Sequence, residues 1–155
     1  MTARRHRGFT LLELAIAIAV LAVLGAMALP SFGARLDRQR LDSAAQALLN
    51  DINEARFEAV RQQRSLHLVV QTGSQWCWSV ALDPACPCGQ TQACELRHAM
   101  HKDHAGVRLV EGQTASLNAN GIAGTATSTT LESRRGARLR VDLQEIGRAS
   151  CRERV

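Results

Sequence analysis

Aromatic residues are scarce in this 155-residue chain, which holds two Trp, three Phe and no Tyr. With so few flat side chains, the two indoles, Trp76 and Trp78, are candidate core anchors rather than a ligand-stacking platform. Catalytic signatures are missing as well. There is no glycine loop to cradle phosphate, no G-x-S-x-G elbow and no H-E-x-x-H pair. Those absences remove the familiar routes to nucleotide, acyl-transfer and zinc-hydrolase chemistry. Ser, His and Asp occur without informative spacing, so no catalytic residue is assigned, no enzymatic activity is expected and no cofactor is implied. Internal repeats and low-complexity segments are also absent.

The apparent excess of positive charge shrinks on inspection. Residues 145–155, Glu-Ile-Gly-Arg-Ala-Ser-Cys-Arg-Glu-Arg-Val, are what a common sequencing adapter encodes when translated in frame, and such a scar is set aside from fold reasoning. On that reading the native carboxyl terminus lies beyond residue 144. The tail carries three Arg against two Glu, and residues 1–8 carry three more Arg, so the formal +5 falls to +1 for residues 9–144. The basic pI is therefore poor evidence for a nucleic-acid partner. The same step reduces five cysteines to four, Cys77, Cys86, Cys88 and Cys94, an even number that reads as disulfides in an oxidising compartment.

What the sequence does have is a long apolar run. From residue 9 to residue 29 the only charged side chain is Glu13. As a helix these residues span about 32 Å, enough to cross a hydrocarbon core of about 30 Å. Ahead of them stand Arg4, Arg5, His6 and Arg7, a basic flank of the kind retained in the cytoplasm. A lone carboxylate inside such a run costs a few kcal/mol unless it is paired, so Glu13 implies a specific partner. Ala15 and Ala19, then Ala22 and Ala26, repeat at four-residue spacing and allow close helix approach.

The stretch Gly8-Phe9-Thr10-Leu11-Leu12-Glu13-Leu14 resembles the start of type IV pilins and type II secretion pseudopilins. Paired Trp in a hairpin and Ala28-Leu29-Pro30-Ser31-Phe32 resemble, more narrowly, the GspH/FimT branch. The resemblance implies cleavage by a prepilin peptidase after Gly8, methylation of the new amino terminus at Phe9, and pairing of Glu13 with a neighbouring subunit's amino terminus in the filament. It implies a minor pilin or pseudopilin that initiates or caps a filament, anchored in the bacterial inner membrane with its globular part in the periplasm. Its partners would be other pilin subunits and the peptidase. FimT-like members also imply DNA uptake, with Arg134, Arg135, Arg138 and Arg140 as candidate phosphate contacts, although a solvated turn and strand face is the favoured reading of these residues. An ordinary secretory signal competes, because Ala26-Met27-Ala28 is an A-x-A cleavage site, although an acid inside the run fits it poorly.

The remaining chain reads in order. Pro30 removes a backbone donor and should kink or interrupt the helix. Leu41, Ala45, Leu48, Ile52, Ala55 and Ala59 then form one helical face, extending the helix through residues 30–62. Asp42, Asp51, Glu54, Arg56, Glu58 and Arg61 mostly take the other side and read as solvated. Residues 63–144 read as a β-rich domain. Leu66, Leu68 and Val70 alternate as a strand, residues 73–74 turn, and residues 76–80 return with Trp76 and Trp78 on one face and Cys77 on the other.

Residues 83–97 read as a loop. Cys86 and Cys88 are too close for an easy mutual bridge. That leaves Cys77–Cys86 with Cys88–Cys94, or Cys77–Cys88 with Cys86–Cys94, open. Zinc is not expected from these spacings. His98, His101 and His104 form an H-x2-H-x2-H string whose surroundings favour an exposed loop or short edge, so no metal is assigned. Further strands are expected at residues 106–110, 115–119 and 125–131. Turns are expected at Asn120-Gly121 and residues 133–136, and a last ladder at residues 139–143. The expected fold class is α+β, a long amino-terminal helix packed on an antiparallel sheet or sandwich, helped by its disulfides because the globular part is small.

Overall fold

The computed structural model of the chain describes residues 10–89 and 93–154, without the side chains of residues 27–31, 153 and 154. One helix precedes eight strands: α1 (Leu11–Gln62), β1 (Leu66–Gln71), β2 (Cys77–Ala81), β3 (Glu95–Met100), β4 (Val107–Glu111), β5 (Ala115–Leu117), β6 (Thr127–Ser133), β7 (Arg138–Leu143) and β8 (Ala149–Arg154). Two compact units divide between Leu36 and Asp37.

The first unit contains the opening of α1. Thr10 caps it, its Oγ1 accepting from Glu13 N at 3.2 Å and its carbonyl from Leu14 N at 3.1 Å. Apolar side chains point outward along this stretch, from Leu11 at 86% exposure to Leu24 at 59%. The backbone stays helical through Pro30, so the expected interruption does not occur. One missing donor removes a single i to i−4 bond, and long helical stretches on both sides outweigh it. Among the described residues no helix is long and apolar enough to cross a membrane. The run counted from sequence also draws on Phe9 and on the side chains of residues 27–29, which lie outside the described set.

In the second unit α1 lays its apolar stripe on strands. Leu41, Ala44, Ala45, Leu48, Ile52, Ala55 and Ala59 are all buried. They share one core with Leu66, Leu68, Trp76, Trp78, Val80, Leu109, Leu117, Leu131, Val141 and Leu143. The strands form two antiparallel four-stranded sheets, ordered β3-β2-β1-β5 and β4-β6-β7-β8. This is the α+β arrangement that the helix-then-strands pattern predicts. The central strand β2 is buried on both faces, because the cysteine loop covers the side that the helix does not.

Most strand ends fall within two residues of the sequence reading, and two strands were not anticipated by it. The loop expected at residues 83–97 ends sooner, since Glu95 begins β3. An edge strand needs few inward residues, and in β3 only Ala99 is fully buried, so no apolar alternation advertises it. The ladder at residues 138–143 is also not the last, because residues 149–154 pair with it as β8.

Candidate assembly site

Glu13 stands in the first turn of α1, three residues after the capping Thr10. Thr-Leu-Leu-Glu is a capping-box spacing, a signal that the membrane reading overlooked. A carboxylate in the first turn also meets the positive end of the helix dipole, worth about 0.3–1 kcal/mol. Local structure therefore tolerates the acid and fixes the start of the helix, and it leaves the carboxylate at the tip of an outward-facing apolar rod. Gly8 and Phe9, the cleavage and methylation candidates, lie outside the described residues.

The two tryptophans anchor the second unit. Their rings stack with centroids 5.4 Å apart, and both are essentially inaccessible. A buried indole N–H needs an acceptor, and each has one. Trp76 Nε1 donates to Val107 O at 3.1 Å, and Trp78 Nε1 donates to Asp51 Oδ2 at 2.8 Å. Asp51 also pairs with Arg97, which reaches Glu54 as well. Asp51 and Glu54 are thus not part of a merely solvated face: they join α1 to β2 and β3. Arg56 ties α1 to the Asn120-Gly121 turn instead, donating from Nε to Gly121 O at 3.1 Å. Gly121 has φ +71, which the Asn120-Gly121 turn requires. Asn118 Oδ1 closes that turn by accepting from Asn120 N and Ile122 N.

The cysteines pair as Cys77–Cys88 and Cys86–Cys94, one of the two arrangements open from sequence. They pin the loop against the outer face of β2. The histidine string is dispersed: His98 Nδ1 meets Glu95 Oε2 at 3.1 Å, while His104 stacks on Trp78. Among the described residues no group of three or more His, Cys, Asp or Glu side chains converges to hold a metal ion.

Most of the candidate DNA-contacting arginines already have acids. Arg135 pairs with Asp37 at 3.1 Å and Arg140 with Asp142. Arg138 and Arg108 both bind the buried Glu132, at 2.7 and 2.6 Å. The Arg138 hydrogen bond, then that of Arg108, holds the Glu132 carboxyl below its ordinary value against the opposing effect of burial. Arg134 lies over Gly106 and borders an open cleft of about 460 Å³ with His101 and Arg108.

Comparison with known proteins identifies this combination of outward apolar helix and helix-backed double sheet. Residues 3–29 match the prokaryotic N-terminal methylation motif, and residues 44–147 match the family described as Type II transport protein GspH. The chain belongs to the GspH family. The GspH-type chain is 41% identical over 67 residues to the pilin-like protein PilA1 of Thermus thermophilus, a match that covers 43% of this chain and 42% of that relative. It thus spans about two fifths of the length of the curated relative. Its fold matches that of the type IV minor pilin FimU of Pseudomonas aeruginosa in two crystal forms. The TM-scores are 0.55 and 0.54 at 21% identity, covering 74% and 72% of this chain and 90% and 92% of FimU.

Proposed function

We propose that this GspH-family subunit is cut after Gly8, methylated at Phe9 and held in a type II secretion pseudopilus or type IV pilus by Glu13. The observation that carries the reading is the outward apolar stretch of α1 with a single acid in its first turn. Cleavage would place a new ammonium four residues before that carboxylate. Two opposite charges in lipid each remove the other's desolvation cost, and a neighbouring copy's ammonium serves as well as the chain's own. The subunit would span the inner membrane once, with Arg4, Arg5 and Arg7 on the cytoplasmic side and the β-rich domain in the periplasm.

The working division is leader 1–8, assembly helix 9–29, amphipathic continuation 30–62, globular domain 63–144 and adapter-encoded tail 145–155. The last assignment rests on the sequence alone, since residues 149–154 pair with β7 as β8. The role is structural rather than enzymatic. Binding of DNA gains no support from the arginine cluster, since Arg135, Arg138 and Arg140 are each offset by an acid.

Intact mass with and without prepilin peptidase tests the processing step. The expected product begins at methylated Phe9, and Gly8→Ala blocks it. A Gly8→Ala chain trimmed as efficiently as wild type would contradict the assignment. Loss of everything through Ala28 would instead identify a secretory signal.

A further inference from the structure

Between β3 and β4 the chain crosses the tryptophan pair through residues 101–106. Backbone bonds fix both ends: His101 N donates to Trp76 O at 3.0 Å, and Val107 N donates to His104 O at 3.1 Å. Asp103 closes its own turn, accepting at Oδ2 from Met100 N at 2.8 Å. What lays the middle of the segment on the core is the ring of His104. It stacks on Trp78 with centroids 5.3 Å apart and on Trp76 at 6.2 Å, with planes inclined by 23° and 17°. The three rings make one aromatic layer, with the imidazole as its only titratable member.

A neutral imidazole suits this seat as a small aromatic. An imidazolium would gain from the indole faces but must give up hydration on one side. Two acids face it. Asp51 approaches from α1, already committed through Oδ2 to Trp78 Nε1 and through Oδ1 to Arg97 on β3. Asp103 approaches from the segment itself, committed to Met100 N. Burial is the largest influence and lowers the pKa of His104 below 6.5, with both acids opposing it only in part.

We propose that His104 is a proton-operated clasp: neutral, it holds residues 101–106 on Trp76 and Trp78, and protonated it releases them and uncovers the indole faces. The sign follows from linkage. A histidine lowered in the closed form favours that form fully above 6.5 and loses the preference as pH falls through 6.5 toward the lowered value. Each unit of lowering weakens the closed state about tenfold at full protonation.

Intrinsic fluorescence of the full chain in detergent micelles reads the clasp, because Trp76 and Trp78 are its only tryptophans. Emission should change with a midpoint below 6.5, and the change should vanish in His104→Phe, which keeps a flat ring that cannot titrate. Hydrogen exchange supplies the second readout. At about pH 5, residues 101–106 should exchange faster in wild type than in His104→Phe, and at about pH 7.5 the two should exchange equally. If that variant does not fold, the proton resonance of His104 in the wild-type chain gives the midpoint directly. A midpoint at or above 6.5, a fluorescence step that survives in His104→Phe, or a ratio of wild-type to variant exchange that is the same at both pH values would overturn the proposal.

Discussion

Replacing Trp78 with phenylalanine probes the joint between helix and sheet most cleanly. The indole is wholly buried, and its Nε1 is 2.8 Å from Asp51 Oδ2. Losing a hydrogen bond to a charged acceptor costs about 1.5–3 kcal/mol. The smaller ring leaves roughly 40 Å³ of unfilled space, which adds about 1 kcal/mol at about 24 cal/mol per Å³. The sum is about 2.5–4 kcal/mol, a fall in Tm of roughly 10–16 °C for a unit of this size. Urea unfolding of the chain in mild detergent, followed by near-UV circular dichroism, measures it. A double-mutant cycle with Asp51→Ala isolates the pair, since both partners touch other groups. The cycle should return a coupling of about 1.5 kcal/mol or more. Coupling under about 0.5 kcal/mol would refute the claim that this bond joins α1 to β2.

Further tests address the electrostatics, the turn and the loop. Because Arg138 and Arg108 hold Glu132 below 4.5, their stabilisation is complete above that value and is lost as pH falls through the lowered one. Tm measured from about pH 5.5 down to about pH 3 should therefore drop more steeply in wild type than in Glu132→Gln, and parallel curves would contradict this. At Gly121, a Cβ would stand 3.2 Å from Val60 Cγ2 and 3.3 Å from Arg56 O at φ +71. Gly121→Ala should thus cost about 1–3 kcal/mol in urea unfolding, and a neutral result would show that the turn relaxes freely. Removing Cys86 and Cys94 together, as Ser, frees a loop of separation 8 and should cost about 2.5 kcal/mol. Unchanged thermal unfolding of that variant would deny the bridge a stabilising role.

Periodicity made much of the fold legible. The step from a 3.6-residue to a two-residue repeat near residue 63 marks where α1 ends and the strands begin, and the six stripe positions named from sequence are buried. Turn chemistry located Asn120-Gly121 correctly. Long-range polar partners were not legible, because spacing along a helix does not say what faces it. Asp51 and Arg56 flank the buried stripe and look solvated in sequence, yet their partners lie 27 and 65 residues away. The acid opposite Arg135 was hidden for the same reason, since Asp37 is nearly a hundred positions upstream of it. Strand β3 escaped notice because an edge strand covered on one face needs only Ala99 inside. Likewise, spacing excluded Cys86–Cys88 but could not choose between the two remaining pairings. At the amino terminus the apolar run and its acid stood out at once, while Thr10 as the residue that caps and orients Glu13 emerged only from the helix start itself.

Incorporation of Glu13→Ala into filaments bears most directly on the account. Membrane fractions and sheared filaments from cells expressing wild type or the variant, probed for this subunit, give the ratio assembled. The expected result is a variant processed normally and retained in the membrane but depleted from filaments. Equal incorporation would mean that no neighbour's amino terminus needs this carboxylate, and the outward apolar helix would then be an anchor alone.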